Sequence, residues 1–224
     1  MSAALVREAA TRLFARAPDA GALEASGFAR LLADGGSHGE LVALFIEAGR
    51  AAVGEAVEAA LLAGVPEHVR PLALAALIAG GLEAALALTL AHVSARVQFG
   101  KALAKQQAVQ QALADFACEV AAVAAAAHGA AAVIDSGQDA AFEVAAARLW
   151  AGQAVPRGTA VAHQLHGAIG FTADYPLHRH SVDLNRWRRT GGSDADWAAR
   201  VGAMVTGDWW ADMTARSDRS MEHG

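Results

Sequence analysis

Residues 67–96, EHVRPLALAALIAGGLEAALALTLAHVSAR, decide what kind of fold this chain adopts. Between Arg70 and Arg96 the only formal charge is Glu83. A run this apolar is long enough to cross a bilayer, which takes about 20 residues. Its chemistry argues against insertion. Alanine dominates it and contributes little to transfer, while Gly80, Gly81, Glu83, Thr89 and His92 interrupt it. A helix surrounded on most sides by other helices accounts for the same pattern. Pro71 falls near the start of that helix, where a missing N–H does little harm.

Working outward, the segments on either side are helical too. Residues 105–134 and 138–165 read as two more long helices, closed by Asp135-Ser136-Gly137 and by a glycine-containing turn at 167–170, with a kink expected at Pro156. Short helices are expected at 3–17, 20–33 and 177–189, and a longer one at 39–63. A last one, 194–204, has Ser193 or Asp194 as its N-cap. Long helices joined by short connections make an antiparallel bundle. The expected fold is all-α, with a shortened helical segment over 1–64, a bundle over 65–207 and a tail over 208–224. Trp209 and Trp210 point to docking of that tail. No strand alternation and no solenoid repeat is visible.

Composition agrees and narrows the function. Hydrophobic residues make up 54% of the 224, mostly through alanine, and aromatics only 6%, which favours helix over sheet. The formal charge is -5, and the short basic cluster Arg186, Arg188 and Arg189 lies among acids, so nucleic acid is not an expected partner. The single Cys118 excludes an internal disulfide and fits a reducing, cytoplasmic compartment; among alanines it reads as a small buried side chain. The first thirteen residues lack the pattern of a secretion signal. His163, His166, His178 and His180 crowd together, but no Cys or Glu completes a metal set.

Two segments carry more specific chemistry. One is RVQFGKALAKQQAVQ at 96–110; the other is HQLHGAIGFTADYPLHRH at 163–180. Arg96 can lay a planar guanidinium on a phosphate. Phe99 supplies a flat wall, and Gly100 lets the backbone turn close to a ligand. Gln107 and Gln164 are neutral donor–acceptor groups, and Gly167 and Ala168 leave room beside the chain. The plain alternative is that Arg96 pairs with an acid, Phe99 is core and Gly100 ends a helix.

Both segments resemble signatures of the acyl-CoA dehydrogenase family, R-x-x-F-G-K/Q-x-[LI]-x-x-x-Q-x-x-Q and Q-x-[HF]-G-G-x-G-[FY]-T-x-[DE]-[YH]-P-[VL]-x-[RK]. They stand in the family's order and separation, and the resemblance covers about residues 67–205. It implies FAD as cofactor, held across two subunits. Arg96, Gln98, Phe99, Gln107, Gln164, Leu165, His166, Gly167 and Ala168 match the positions that grip its adenosine–pyrophosphate half. Ala168 departs from the usual second glycine.

The resemblance also implies parts that this sequence does not display. No strands stand between residues 23–62 and Glu67 to form the family's middle β-domain. The catalytic Glu is missing at both places the family puts it: Gly191 occupies the usual position and Arg70 the alternative one. Asp194 and Asp196 read as helix-start charges. The expected role is therefore a non-catalytic subunit that completes the FAD site of a heteromeric acyl-CoA dehydrogenase, with acyl-CoA bound through a full-length partner. Family members acting on steroid side chains or other bulky acyl-CoAs offer that two-subunit precedent. The rivals are an autonomous homodimer using Asp194 or a displaced acid as base, and a cofactor-free oligomerising bundle.

Overall fold

The computed structural model describes residues 2–98, 100–205, 207–211 and 214–215. The chain runs α1 (Ala3–Phe14), α2 (Ala20–Ser26), α3 (His38–Arg50), α4 (Glu55–Ala63), α5 (Arg70–Ala95), α6 (Gln107–Asp135), α7 (Ala141–His166), α8 (Pro176–Arg189) and α9 (Asp194–Met204). The only strands among the described residues are Val97–Gln98 (β1) and Lys101–Ala102 (β2), a minimal antiparallel hairpin between α5 and α6.

The axis of the bundle is α5. Leu72 through Leu82 are buried one after another, on every side of the helix, because α3, α6, α7 and α8 all pack against it. Each large side chain hidden this way is worth roughly 1.5–3 kcal/mol. The approach of α3 is especially close. A Cβ at Gly80 would stand 1.9 Å from the Ile46 carbonyl, and one at Gly49 2.1 Å from that of Leu77. The glycines that spoil the run as a membrane span are thus the residues that let two backbones meet. Glu83 emerges at the edge of this contact and pairs with Arg50, which also pairs with the buried Glu47.

Residues 39–63 do not form one helix, as the sequence pattern implied. The chain turns at 51–54, with Ala52 at φ 47°, and α4 leaves in a new direction. Tertiary contacts impose the turn. Arg179 of α8 donates to the Ala52 carbonyl. Glu58, buried on α4, accepts from both Arg186 Nη atoms, at 2.8 and 2.6 Å, and from Trp187 Nε1 at 2.8 Å. Glu58 is buried, so removing its donors would leave a desolvated carboxylate without partners. The short helices at the amino end share one core with the bundle: Val6, Phe14, Leu23 and Phe28 join the same cluster as Leu77 and Val155.

Several caps match the sequence signals. Ser37 and Ser193 each open a helix through a reciprocal capping box, with Glu40 and Asp196. Asp135, at the end of α6, takes N–H groups from His38 and Gly39 at 2.8 and 3.0 Å and so caps α3 from outside. Burial would push its carboxyl up; these donors and the His38 ring outweigh that and hold it below its ordinary value. Two expectations fail. Cys118 is exposed, because α6 buries only one face. Trp209 and Trp210 are exposed and meet each other edge-on, 5.4 Å apart, rather than docking on the bundle.

Candidate functional site

The two ends of α5 carry the two sets of residues singled out by sequence. They are roughly 39 Å apart, at 1.5 Å of rise per residue over 26 residues.

At the carboxy end, Arg96 terminates α5 in an extended conformation, its N–H donating to the His92 carbonyl. The β1–β2 hairpin then folds back, pairing Val97 with Ala102 and Gln98 with Lys101. Gly100 makes the reversal at φ 75°. Phe99 lies outside the described residues. Arg96 and Gln98 are exposed, and Arg96 has no ion pair or side-chain hydrogen bond among the described residues; the acid partner of the plain alternative is not there. Gln107 is the first residue of α6 and also exposed.

The end of α7 comes to the same place because α6 reverses the chain between α5 and α7. Gln164 is exposed on the last turn. Leu165 packs with Val93, Leu103, Val109 and Leu113 in a small cluster that ties all three helix ends together. His166 is 6% exposed, stacks on His92 with ring centroids 4.5 Å apart, and donates from Nδ1 to the Ala162 carbonyl, 2.8 Å away. Its Nε2 has no hydrogen-bond partner among the described residues. Gly167 turns at φ 64° with open space beside it, and Ala168 is exposed. Every described residue of the expected FAD-gripping set therefore lies at one end of the bundle. Sequence reading had missed His92, one turn before Arg96 on the same face; burial first, then His166 and Arg96, hold its pKa below the ordinary histidine value. Four large apolar side chains, Leu90, Val97, Ile169 and Phe171, are exposed around this end.

At the other end, Arg70 and Gly191 line one cleft of about 1530 Å³. Residues 121 positions apart in sequence (191 − 70) thus meet in space, without a carboxylate at either. The chain leading into Gly191 is held from α7. Arg148, fully buried, donates from Nη2 to the carbonyls of Trp187, Arg188 and Thr190 at 3.1, 2.7 and 3.0 Å. Burial lowers its pKa to about 10, against the pull of Asp194. Asp194 itself is engaged by Arg188 at 2.6 Å and is not among the cleft residues. No group of three His, Cys, Asp or Glu placed to hold a metal ion occurs among the described residues. His163 instead meets Ser181 at 2.7 Å and stacks on Phe171.

Residues 67–203 match the family model described as "Acyl-CoA dehydrogenase, C-terminal domain". The chain belongs to the acyl-CoA dehydrogenase family. It is 37% identical over 100 residues to acryloyl-CoA reductase (NADH) of Anaerotignum propionicum, covering 45% of this chain and 25% of that one. Among solved structures it resembles the ChsE4–ChsE5 complex of Mycobacterium tuberculosis at TM-score 0.59 and 27% identity, over 68% of this chain and 40% of that one. Butyryl-CoA dehydrogenase of Megasphaera elsdenii matches at TM-score 0.58 and 28% identity, over 68% and 39%. The acyl-CoA dehydrogenase match falls on the bundle from α5 to α9, and the chain spans a quarter to a third of the length of the curated relatives it matches.

Proposed function

We propose that this acyl-CoA dehydrogenase-type chain completes the FAD site of a heteromeric enzyme, gripping the adenosine–pyrophosphate half of a cofactor whose flavin sits in a partner subunit. The observation that carries this reading is Arg96, exposed and without an ion pair among the described residues, set among neutral Gln98, Gln107 and Gln164 at one end of the bundle. A planar guanidinium suits a pyrophosphate. Amide side chains suit the polar edges of adenosine, and the free backbone at Gly100 and Gly167 suits close approach of a flat ligand. The apolar rim of Leu90, Val97, Ile169 and Phe171 gives that end a surface to bury against another subunit. FAD would supply the hydride-accepting ring; this chain's residues only bind and orient its far end.

The catalytic role falls to the partner for a chemical reason. Removing the α-proton of an acyl thioester takes a carboxylate in reach, and the resemblance puts Gly191 and Arg70 at the family's two positions for it. The two-chain ChsE4–ChsE5 relative is a precedent for assembly by analogy. An autonomous enzyme using Asp194 is disfavoured by its pairing with Arg188; Glu67, which lines the cleft, would be the displaced acid in that rival.

Co-expression with a full-length acyl-CoA dehydrogenase homologue, followed by flavin stoichiometry, tests the reading. Arg96→Ala should cut the flavin content of the purified complex several-fold while its circular dichroism stays unchanged, since a charge-assisted contact is worth roughly 1.5–3 kcal/mol. Arg96→Lys should not restore it. Unchanged flavin content in both variants would overturn the assignment.

A further inference from the structure

The carboxy end of α5 gathers cations without carboxylates. The sequence holds no Asp or Glu from residue 84 to 114 or from 144 to 173. These are the stretches that the ends of α5 and α7, the hairpin and the start of α6 bring together. Arg96 lies among them, and the chain's only lysines, Lys101 and Lys105, are exposed in the hairpin and just after it. In a chain of net charge -5, this end therefore carries positive charge with no acid of its own to balance it.

Two histidines stand in this setting. His92 lies one turn before Arg96 on the same face of α5 and is half-buried, while His166 is 6% exposed. Their rings stack at 4.5 Å, and Tyr175 meets the His166 ring edge-on, 5.2 Å away. Because His166 Nδ1 donates to the Ala162 carbonyl, its Nε2 in the neutral ring is a bare acceptor. That atom is buried, and no donor reaches it among the described residues. The other neighbours do not welcome a proton either. Burial first, then His166 and Arg96, hold the His92 pKa below its ordinary value. Burial, then His166 and His178, do the same for His163, which Ser181 engages at 2.7 Å. Asp174, the nearest acid in sequence, is exposed and forms no ion pair among the described residues. Two imidazolium rings in a stack repel each other, so the pair has room for one proton, not two.

Building on the flavin-site reading, we propose that the His92–His166 pair is a proton-linked part of the pyrophosphate grip, neutral without ligand and taking up one proton from solvent when a pyrophosphate diester binds beside Arg96. In the neutral pair, the lone pair on His166 Nε2 opposes a phosphate oxygen. A proton removes that opposition and adds a second cation for a ligand that carries two negative charges. The burial that penalises an isolated imidazolium also strengthens its attraction to the anion. Binding and protonation then favour each other by the same factor. Affinity is therefore highest in mild acid and falls as pH rises through the range in which histidine titrates.

The test is calorimetric titration of the full-length chain with ADP-ribose, which carries the adenosine and pyrophosphate diester of FAD, lacks the flavin and has no group that titrates near neutral pH. Titrations near neutral pH in two buffers of different ionisation enthalpy, neither of them a phosphate, count the protons taken up. Wild type should take up roughly 0.5 to 1 proton per ADP-ribose, and bind at least tenfold more tightly at about pH 5.5 than at about pH 8. The double variant His92→Gln, His166→Phe should take up none and bind with nearly the same affinity at both pH values; Phe is the other residue that the family's signature takes at the second position, and circular dichroism checks the fold. His178→Gln, at a histidine outside the stack, should keep the uptake. Histidine ring NMR signals of wild type read the same event without substitution: ADP-ribose should move those of His92 and His166 toward their protonated positions and leave His38 unmoved. The proposal is overturned if ADP-ribose binds without proton uptake, if uptake survives the double variant, or if it is lost with His178→Gln; the Arg96 assignment then stands. It is also overturned if ADP-ribose does not bind at all, and the flavin stoichiometry of the co-expressed complex then decides separately whether Arg96 grips FAD.

Discussion

Helices α5 and α6 have nearly the same composition and opposite fates. Their most apolar windows have mean hydropathies of 1.9 and 1.7, but 78% of the first window is buried and only 28% of the second. In α5, successive residues from 72 to 82 face α3, α6, α7 and α8 in turn, so no side of that stretch is left for water. In α6, the buried residues Val109, Leu113, Phe116, Val120, Val123 and Ala127 fall on a single stripe three and four apart. The opposite stripe, Ala114, Ala117, Ala121 and Ala125, is exposed. Equal hydropathy thus marks a core in one helix and an unfilled contact surface in the other. We propose that subunits assemble through this face of α6.

The comparison is broken most severely at the glycines. Gly80→Ala should prevent stable folding or cost several kcal/mol, because its Cβ meets the backbone of α3 and no side-chain movement can make room. The same change at Gly129 of α6, which has open space around it, should instead raise stability by up to about 1 kcal/mol. Urea denaturation of the two variants reads the difference, and equal destabilisation would show that α6 is as confined as α5.

Assembly gives the next largest effect. Ala125→Glu puts a charge in the middle of the exposed α6 stripe. It should convert the assembled protein to smaller species by light scattering while leaving the melting of the isolated chain within about 0.5 kcal/mol, the ordinary range for a surface change. If the mass does not change, the α6 face is not the interface.

The smallest effect concerns the last residue of α6. Asp135→Asn removes a charge from the amino end of α3 and should cost roughly 0.3–1 kcal/mol at neutral pH. The folded carboxyl is held below its unfolded value, so its contribution is present above the unfolded pKa and lost as pH falls through the folded one. Wild type and variant should therefore converge in acid. A gap that persists at pH 2 would mean that shape, not charge, carries the cap.

Much of this was legible without coordinates because it is local. The helix ends at Gly137 and Ser193 follow from turn and cap chemistry within a few residues, and the length of α5 follows from its apolar run. The expected FAD-gripping residues were legible through two motifs, since each is a short segment at a helix end. What stayed hidden depended on distant neighbours. The break at 51–54 is set by Arg179 and by the Glu58–Arg186 pair, more than 120 positions away. The exposure of Cys118 depends on which side of α6 finds a partner.

Sequence by itself determined that this chain is an all-α bundle with acyl-CoA dehydrogenase signatures at two helix ends, because periodicity, caps and short motifs are properties of neighbouring residues. Only the tertiary structure decided that Arg96 is exposed and has no ion pair among the described residues, that His92 stacks on His166, and that Arg70, Gly191 and Trp197 share one cleft. Those facts depend on how α5, α7 and α9 pack, and packing is a property of the whole chain: hydropathy says that a surface will be covered, while only the arrangement of all the helices says by what.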